Sequence, residues 1–194
     1  MNDIPAWRLS LTSALERNRH LVYSRYFQLA TVGLNGRPAN RTVVFRGFLP
    51  ETNQLQIITD SRSQKVNQIQ HHSSGEVCWY FPETREQFRL FGQLKLISDS
   101  HPDLTLTTAR TTLWQFLSNA AKQQFYWPNC RQPRSESTAF NPLAIIPLEP
   151  PSNFILLLLE PQEVDHLNLQ GEPQNRTLYY YNSEQGWLTE MVNP

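Results

Sequence analysis

The sequence predicts a β-rich α+β protein whose antiparallel sheet curls into a barrel. Its strand patterns follow one another through tight turns, and its helix patterns are inserted between strands instead of alternating with them. A doubly wound nucleotide-binding fold needs βαβ alternation and a glycine-rich first turn. Only seven of the 194 residues are glycine, and neither G-x-G-x-x-G nor G-x-x-x-x-G-K occurs. The sequence therefore disfavours that fold, and we expect a single domain over residues 1–194.

Apolar alternation bounded by turn residues predicts the strands. Asn35-Gly36 is a strong hairpin signal between the first two strands. Six prolines in residues 126–153 predict an irregular segment that crosses the fold. The predicted strands span residues 26–32, 40–46, 55–59, 76–81, 87–97, 154–159, 164–169, 177–181 and 187–192.

Three helices are predicted beside the sheet. The first begins at Pro5, which suits a first helical turn, and ends near His20. Ser61 or Ser63 caps a short second helix. The third covers residues 104–117, by propensity and by the spacing of its apolar side chains.

The charge balance argues against a nucleic-acid partner. The chain has 17 basic and 17 acidic residues, whereas proteins that bind a nucleic-acid backbone usually carry a basic excess. The charges are unevenly distributed, with nine basic and four acidic residues in 1–70 but one basic and eight acidic in 135–194. This asymmetry fits either a compact anion site in the first half or pairing of the two halves across the fold or a dimer interface.

Other classes of protein are excluded or disfavoured by short motifs. The longest apolar run, Phe154–Leu159, is too short for a transmembrane helix, so we expect no membrane partner. The first residues lack the basic and apolar regions of a secretory signal. Cys78 and Cys130 are far apart in sequence, and we expect two reduced core thiols in a cytoplasmic protein. H-E-x-x-H and C-x-x-C are absent, and we expect no metal site.

Three segments carry residue types that suit an anionic, planar ligand. The first, residues 41–46, is a strand with an arginine at each end; regular alternation puts Arg41 and Arg46 on opposite faces unless a bulge resets the parity. The second, residues 59–65, brings hydroxyls, a lysine and free N–H groups together at a helix start, as phosphate sites do. The third opens a strand with Gln87, whose amide both donates and accepts hydrogen bonds.

In this order the three segments resemble the pyridoxamine 5′-phosphate oxidase-like, FMN-binding proteins. The likeness rests on R-x-V-x-x-[KR] at 41–46, a strand ending in Thr59, an R-S-x-K helix start at 62–65, and Gln87 about twenty residues later. The likeness is clearest from Phe27 to Ile97. The sequence is similar in particular to the cyanobacterial branch of the family. The resemblance implies an antiparallel split β-barrel of six to seven strands with flanking helices, and a homodimer with FMN between the two barrels.

The resemblance also implies roles for individual residues. Arg41, Ser63 and Lys65 would hold the FMN phosphate, with Arg62 replacing the arginine that the family has at the position of Gln64. The remaining implied contacts are to the flavin and its ribityl chain: backbone bonds from Thr42, Val43 and Val44, with Arg46, Ile58 and Thr59 lining the cofactor, and Gln87 and Arg176 reaching the ring from the partner subunit.

The chain departs from the family where true pyridoxamine phosphate oxidases grip their substrate. Those enzymes have a W-x(5)-R-x-H-x-R arrangement, whereas this chain has Leu167 for the tryptophan and then Glu172-Pro173-Gln174-Asn175-Arg176. Glu172 replaces attraction for a phosphate by repulsion. We therefore expect FMN to bind, and a substrate other than a vitamin B6 phosphate.

Two functions from different classes follow. The first is an FMN-dependent oxidoreductase that transfers hydride between an unknown small molecule and the flavin. Its candidate substrate-side residues are Arg46, Arg110, Trp114 and Lys122, although the last three equally suit ordinary core and surface positions. The second is a non-catalytic flavin-binding or redox-sensing module. A haem-binding barrel is disfavoured because no histidine is a convincing ligand.

Overall fold

The computed structural model describes residues 4–194. Residues 1–3, which belong to the segment that we expect not to be a secretory signal, lie outside this range. Four α-helices accompany eight antiparallel strands, one more strand than the predicted range allows. The predicted split-barrel class is confirmed, and the sheet does not close completely. The helices are α1 (Ala6–Arg17), α2 (Gln64–His71), α3 (Leu104–Gln115) and α4 (Asn119–Gln123). The strands are β1 (Tyr26–Val32), β2 (Pro38–Val44), β3 (Leu55–Asp60), β4 (Ser74–Phe81), β5 (Glu86–Ile97), β6 (Phe154–Asn168), β7 (Asn175–Asn182) and β8 (Gly186–Val192).

The sheet runs in the order β2-β1-β4-β5-β6-β7-β8, with β3 paired to β6 outside that path. Strands β2 and β3 do not form a ladder with each other. The segment after β2 is joined to β3 by backbone hydrogen bonds, from Arg46 N–H to the Gln56 carbonyl at 2.9 Å and from Gln56 N–H to the Gly47 carbonyl at 2.8 Å. These bonds, with the isolated bridge between Phe48 and Leu55, connect the segment after β2 to β3 where a closed barrel would have a full ladder. The sheet is open at this place.

The two predicted strands at 154–159 and 164–169 are a single strand, β6. Its first half pairs with β3 and the end of β5, and its second half with the start of β5 and with β7. The strand continues through Pro161 because the register shifts there: Phe91 pairs with Glu163, and Gly92 with Pro161. A bulge, and not a break, therefore separates the two apolar runs.

The main core lies inside the barrel and under α1. Trp7, Leu11 and Ala14 of α1 are fully buried there, as the helical spacing predicts. Leu157 and Leu159 of β6 belong to the same core, whereas Leu156 and Leu158, on the opposite face of that strand, pack beneath α3. Strand β6 is thus buried on both faces, which explains its continuous leucine run.

The segment that follows α3 is irregular apart from α4 and two short 3₁₀ helices. Its 3₁₀ residue Phe125 joins Trp114 and Phe154 in a third, aromatic cluster. Cys130 lies exposed on this segment, so the prediction of two core thiols is wrong for Cys130, while Cys78 is half-buried and also unpaired. None of the described helices is long and apolar enough to cross a membrane.

Candidate functional site

Hydroxyls and a lysine meet where β3 ends and α2 begins. Lys65 Nζ donates to Thr59 Oγ1 at 3.0 Å and to Ser63 Oγ at 3.2 Å, and the two hydroxyl oxygens are 3.2 Å apart. Ser63 occupies the N-cap of α2, but its hydroxyl makes no capping bond because it faces Thr59 and Lys65. Val66 N–H donates to the Ser63 carbonyl at 3.0 Å, whereas the backbone N–H groups of Gln64 and Lys65 remain available to a ligand.

Arg41 joins this group from the neighbouring strand β2. Its Nη1 donates to Thr31 Oγ1 at 2.6 Å and to the Leu29 carbonyl at 3.1 Å, and its Nη2 donates to Gln68 Oε1 at 2.8 Å. Gln68 lies about one helical turn after Lys65, so Arg41 ties β2 to α2. We call Arg41, Thr59, Ser63 and Lys65 the Lys65 cluster.

The Lys65 cluster is electrostatically prepared for an anion. Burial lowers the pKa of Arg41, and burial followed by repulsion from Arg41 lowers the pKa of Lys65. Within residues 4–194, neither cation forms an ion pair with a carboxylate. A phosphate dianion would offset both the desolvation and the repulsion, so the residues present fit a phosphate group.

Arg62 is committed to a different task. Its five N–H groups are used on Asp60, on the Phe125 and Trp127 carbonyls and on Asn129 Oδ1, at 2.5–3.1 Å. Burial raises the pKa of Asp60, but hydrogen bonds from Arg62 and Asn153 outweigh burial and leave that pKa below its ordinary value. Arg62 therefore anchors the irregular segment and has no donor left for a phosphate.

Strand register divides the expected flavin contacts between the two faces of the sheet. Arg41 and Val43 lie on the core side of β2, whereas Thr42 and Val44 lie on its outer side. Directly paired residues share a face. The outer face also holds Gln87, Leu167 and Arg176, which form one row across β5, β6 and β7.

Arg46 and Ile58 lie apart from these groups. Arg46 follows β2, where its Nε is buried without a hydrogen-bond partner in the described structure, and burial lowers the pKa of its guanidinium. Buried N–H groups without a partner are uncommon in folded proteins, and this one is available to an acceptor. Ile58 points to the apolar clusters beneath α3, on the opposite face of β3 from Thr59.

The suggested substrate-side role of the α3 and α4 residues is wrong for two of them. Arg110 is buried, and its guanidinium donates to the Phe154 carbonyl at 2.9 Å and the Pro151 carbonyl at 2.8 Å. Trp114 is fully buried in the aromatic cluster. Lys122 lies over the Trp114 ring at 5.5 Å and donates to the Gln115 carbonyl at 3.4 Å. These residues hold the irregular segment in place.

Three contributing residues were missed by the sequence reasoning. Thr31 and Gln68 accept from Arg41, and Asp165 accepts two bonds from Arg176. Thr31 lies on the same face of β1 as the buried Phe27 and Leu29, so a polar side chain in this apolar row could have been recognised from the sequence. Gln68 and Asp165 carry no such pattern, and only the tertiary structure identifies them.

Comparisons with known proteins identify the family. Residues 4–98 match the family model described as pyridoxamine 5′-phosphate oxidase, FMN-binding domain. Over 98% of both chains, the sequence is 40% identical to pyridoxine/pyridoxamine 5′-phosphate oxidase 2 of Arabidopsis thaliana.

Solved structures extend the match over the whole chain. A crystallised pyridoxamine 5′-phosphate oxidase-related, FMN-binding protein of Nostoc punctiforme is 57% identical, with a TM-score of 0.95 over 99% of this chain and 100% of that one. PhzG of Burkholderia lata shares the fold, with a TM-score of 0.79 and 18% identity over 100% and 95% of the two chains. By these likenesses the chain belongs to the family of pyridoxamine 5′-phosphate oxidase-related, FMN-binding proteins.

Proposed function

We propose that this protein binds FMN, with the phosphate held by the Lys65 cluster. The observation that carries the proposal is the contact of Lys65 with two hydroxyls at a helix start, beside Arg41, which is bonded to Gln68 of the same helix. In the described chain neither cation is paired with a carboxylate. Membership of an FMN-binding family supports the assignment. Thr59 and Ser63 orient the ammonium, and the first N–H groups of α2 complete the grip.

We propose further that the flavin site is completed by a second copy of the chain. Gln87 and Arg176 lie on the outer face of the sheet, whereas Arg41 lies on the core side. Tyr26 and Tyr80 are also exposed on this outer face, and exposed aromatic groups are typical of protein interfaces. The homodimer would place Gln87 and Arg176 of one copy beside the flavin ring of the FMN whose phosphate is held by the other copy.

The proposed activity is FMN-dependent oxidation or reduction of a small molecule. Bound FMN supplies hydride transfer at its ring, with oxygen or a nicotinamide as the second partner. Arg41 and Lys65 hold the cofactor by its phosphate. Gln87 orients the ring by hydrogen bonds, and the cation of Arg176 stabilises negative charge at the polar edge of the ring.

A vitamin B6 phosphate is not the substrate that we propose, although the Arabidopsis relative carries the name of such an oxidase. Glu172 and Gln174 lie in an exposed loop and line an open cleft with Arg85. Arg176 is already bonded to Asp165. A carboxylate in this cleft repels a substrate phosphate.

Turnover of pyridoxamine 5′-phosphate tests this substrate assignment. We expect no appreciable oxidation by the natural chain, and tighter binding of pyridoxamine 5′-phosphate once Glu172→Arg and Gln174→His are combined. Efficient oxidation by the natural chain would refute the assignment.

We also propose a cytoplasmic location. The exposed free thiol of Cys130 suits a compartment in which thiols stay reduced. A fluorescent fusion imaged beside a cytoplasmic marker tests this proposal.

Titration of the apoprotein with FMN tests the cofactor site. Arg41→Ala and Lys65→Ala should each weaken binding by about 1–3 kcal/mol, the size of a lost charged hydrogen bond. Lys95→Ala, an exposed lysine of β5, is the matched control and should bind as the natural protein does. Unchanged affinity in both site variants, or a protein that takes up no FMN, would overturn the proposal. Bound FMN that neither NADH nor NADPH reduces would favour the non-catalytic module.

A further inference from the structure

The irregular segment after α4 reaches the start of α2 at two adjacent residues. Cys130 Sγ donates to the Arg62 carbonyl at 3.0 Å, and Arg131 donates through Nη1 to Gln64 Oε1. Gln64 is the first residue of α2, and Lys65 is the second. The tip of the segment is therefore fixed beside the Lys65 cluster, although it comes from a distant part of the sequence.

Arg131 brings a further positive charge to that place. In the part of the chain that the structure describes, its guanidinium is not paired with any carboxylate. The carboxylate near α2, Asp60, is already paired with Arg62 at 2.5 Å. Arg131 is exposed, and its single side-chain hydrogen bond, to a neutral amide, leaves its other N–H groups open to solvent or to a ligand.

The backbone at Arg131 has an uncommon conformation. Its φ is 64°, in the left-handed region that costs a non-glycine residue about 1–2 kcal/mol. The bonds of Cys130 and Arg131 to the α2 start hold the chain in this conformation. Left-handed residues of this kind persist where the surroundings fix them, often at functional sites.

We infer that Arg131 is a phosphate-binding residue of the FMN site, supplied by the crossing segment beside the uncharged Gln64. The inference rests on the proposed function of the Lys65 cluster. Arg131 takes the part that the sequence resemblance gave to Arg62, whose donors are all used elsewhere. The crossing segment is thereby part of the cofactor site and not only a connection between α4 and β6.

The test is the affinity of the apoprotein for FMN and for riboflavin, which has the same ring but no phosphate. Arg131→Ala should weaken FMN binding about tenfold, the scale of one charged hydrogen bond, and leave riboflavin binding unchanged. Arg134→Ala is the matched control, because Arg134 is an exposed arginine of the same segment that stacks on Phe140 at 4.3 Å. It should bind both ligands as the natural protein does.

A second variant makes the test independent of the fold of the segment. Gln64→Arg, added to Arg131→Ala, should restore most of the FMN affinity by placing a guanidinium on α2 itself. Equal losses for FMN and riboflavin in Arg131→Ala, or no loss for either, would overturn the inference. If Arg41→Ala and Lys65→Ala still weaken FMN binding in that case, the proposed FMN site stands without Arg131. If they too bind normally, the proposed site fails as a whole.

Discussion

Arg176 donates two parallel hydrogen bonds to Asp165, from Nε to Oδ1 at 3.0 Å and from Nη2 to Oδ2 at 2.7 Å. Asp165 also lies 3.5 Å from Arg89, which in turn pairs with Glu76 at 2.6 Å. Two acids and two bases thus form a neutral chain on the outer face of the sheet. The hydrogen bonds from Arg176 to Asp165 raise the pKa of Arg176, and the carboxylate offsets part of its positive charge.

Asp165→Asn should therefore strengthen the electrostatic stabilisation of the reduced flavin by Arg176. With the compensating charge removed, the reduced anionic flavin gains stability, and we expect its midpoint potential to rise by about 30 mV, or about 1.4 kcal/mol for a two-electron couple. Reductive titration against a reference dye measures this potential. Glu163→Gln, an exposed acid on the same strand, is the control. A potential that moves equally in both variants would contradict the specific role of Asp165.

FMN affinity should fall with rising pH earlier than an ordinary lysine would predict. Burial and repulsion by Arg41 lower the pKa of Lys65 in the free protein, and only the protonated form attracts phosphate. Binding is therefore strongest below the lowered pKa and is lost as the pH rises through it, on the acid side of the ordinary lysine value of about 10.4. Titrations between pH 7 and 10 measure the effect. Lys65→Arg should flatten the profile, and the same fall in that variant would exclude Lys65 as its cause.

Arg62→Ala should mainly lower the free energy of unfolding, because Arg62 has no donor left for the phosphate. The change removes the ion pair with Asp60 and leaves Asn153 as the remaining side-chain donor to the Asp60 carboxylate and the Phe125 carbonyl. We expect a loss of about 1–3 kcal/mol in the free energy of unfolding. Urea denaturation measures this loss. Arg62→Lys should recover little because one ammonium cannot replace a five-donor guanidinium. Arg37→Ala, in the exposed first hairpin turn, should be nearly neutral.

The contact between Glu86 and His166 should make the free energy of unfolding depend on pH in the acid range. His166 Nε2 lies 2.8 Å from Glu86 Oε2, and its ring stacks on Phe88 at 4.1 Å. Burial raises the pKa of Glu86, but hydrogen bonds from His166 and Thr84 outweigh burial, so the pKa lies below its ordinary value. The associated stability is present above the unfolded value of about 4.3 and is lost as the pH falls through the folded one.

Glu86→Gln tests that linkage. The variant should be about 1–3 kcal/mol less stable at pH 7 and should lose less additional stability between pH 5 and pH 3 than the natural protein does. Chemical denaturation at each pH measures both quantities. Parallel pH curves for the two proteins would show that another carboxyl group controls the acid limb.

Gly92→Ala should destabilise the fold strongly, although it adds only one methyl group. A Cβ at this position would lie 1.9 Å from the Glu160 carbonyl oxygen, against backbone that is fixed by the bulge in β6. Overpacking of this kind costs about 1–3 kcal/mol or more. At Gly186, with φ 76° and open space around it, alanine meets only the backbone cost of about 1–2 kcal/mol. Thermal unfolding of the two variants gives the comparison, and equal losses would contradict the steric account.

Much of this fold could be predicted because its local signals agree with its tertiary structure. The first strand was predicted at its observed limits, 26–32, and Ser63 is one of the two predicted caps of α2. The break predicted inside β6 arose because Pro161 normally ends a strand, and the sequence alone does not show the bulge that accommodates it. The pairing of β3 with β6, between the first and last thirds of the chain, could likewise not be predicted from local sequence patterns.

The face on which Arg41 lies depends on a one-residue detail of the first hairpin. A two-residue turn at Asn35-Gly36 would pair Arg41 with Ala30, whereas the loop from Gly33 to Arg37 pairs it with Leu29. A slip of one residue moves every side chain of a strand to the other face. The residue types of the phosphate site could thus be chosen from sequence, but their convergence could not. Arg62 shows the same limit, because its distant acceptors decide its role.

The sharing of β6 between β3 and β7 also sets the order in which the protein can acquire its ligand during synthesis. Thr59 is held in its ladder by Ile155, and Asp60 by Phe154. A nascent chain that has emerged only as far as α4 contains every residue of the Lys65 cluster but lacks the strand that fixes Thr59. We therefore expect ribosome-bound chains that stop before Phe154 to retain no FMN, which makes cofactor capture a late event in biosynthesis.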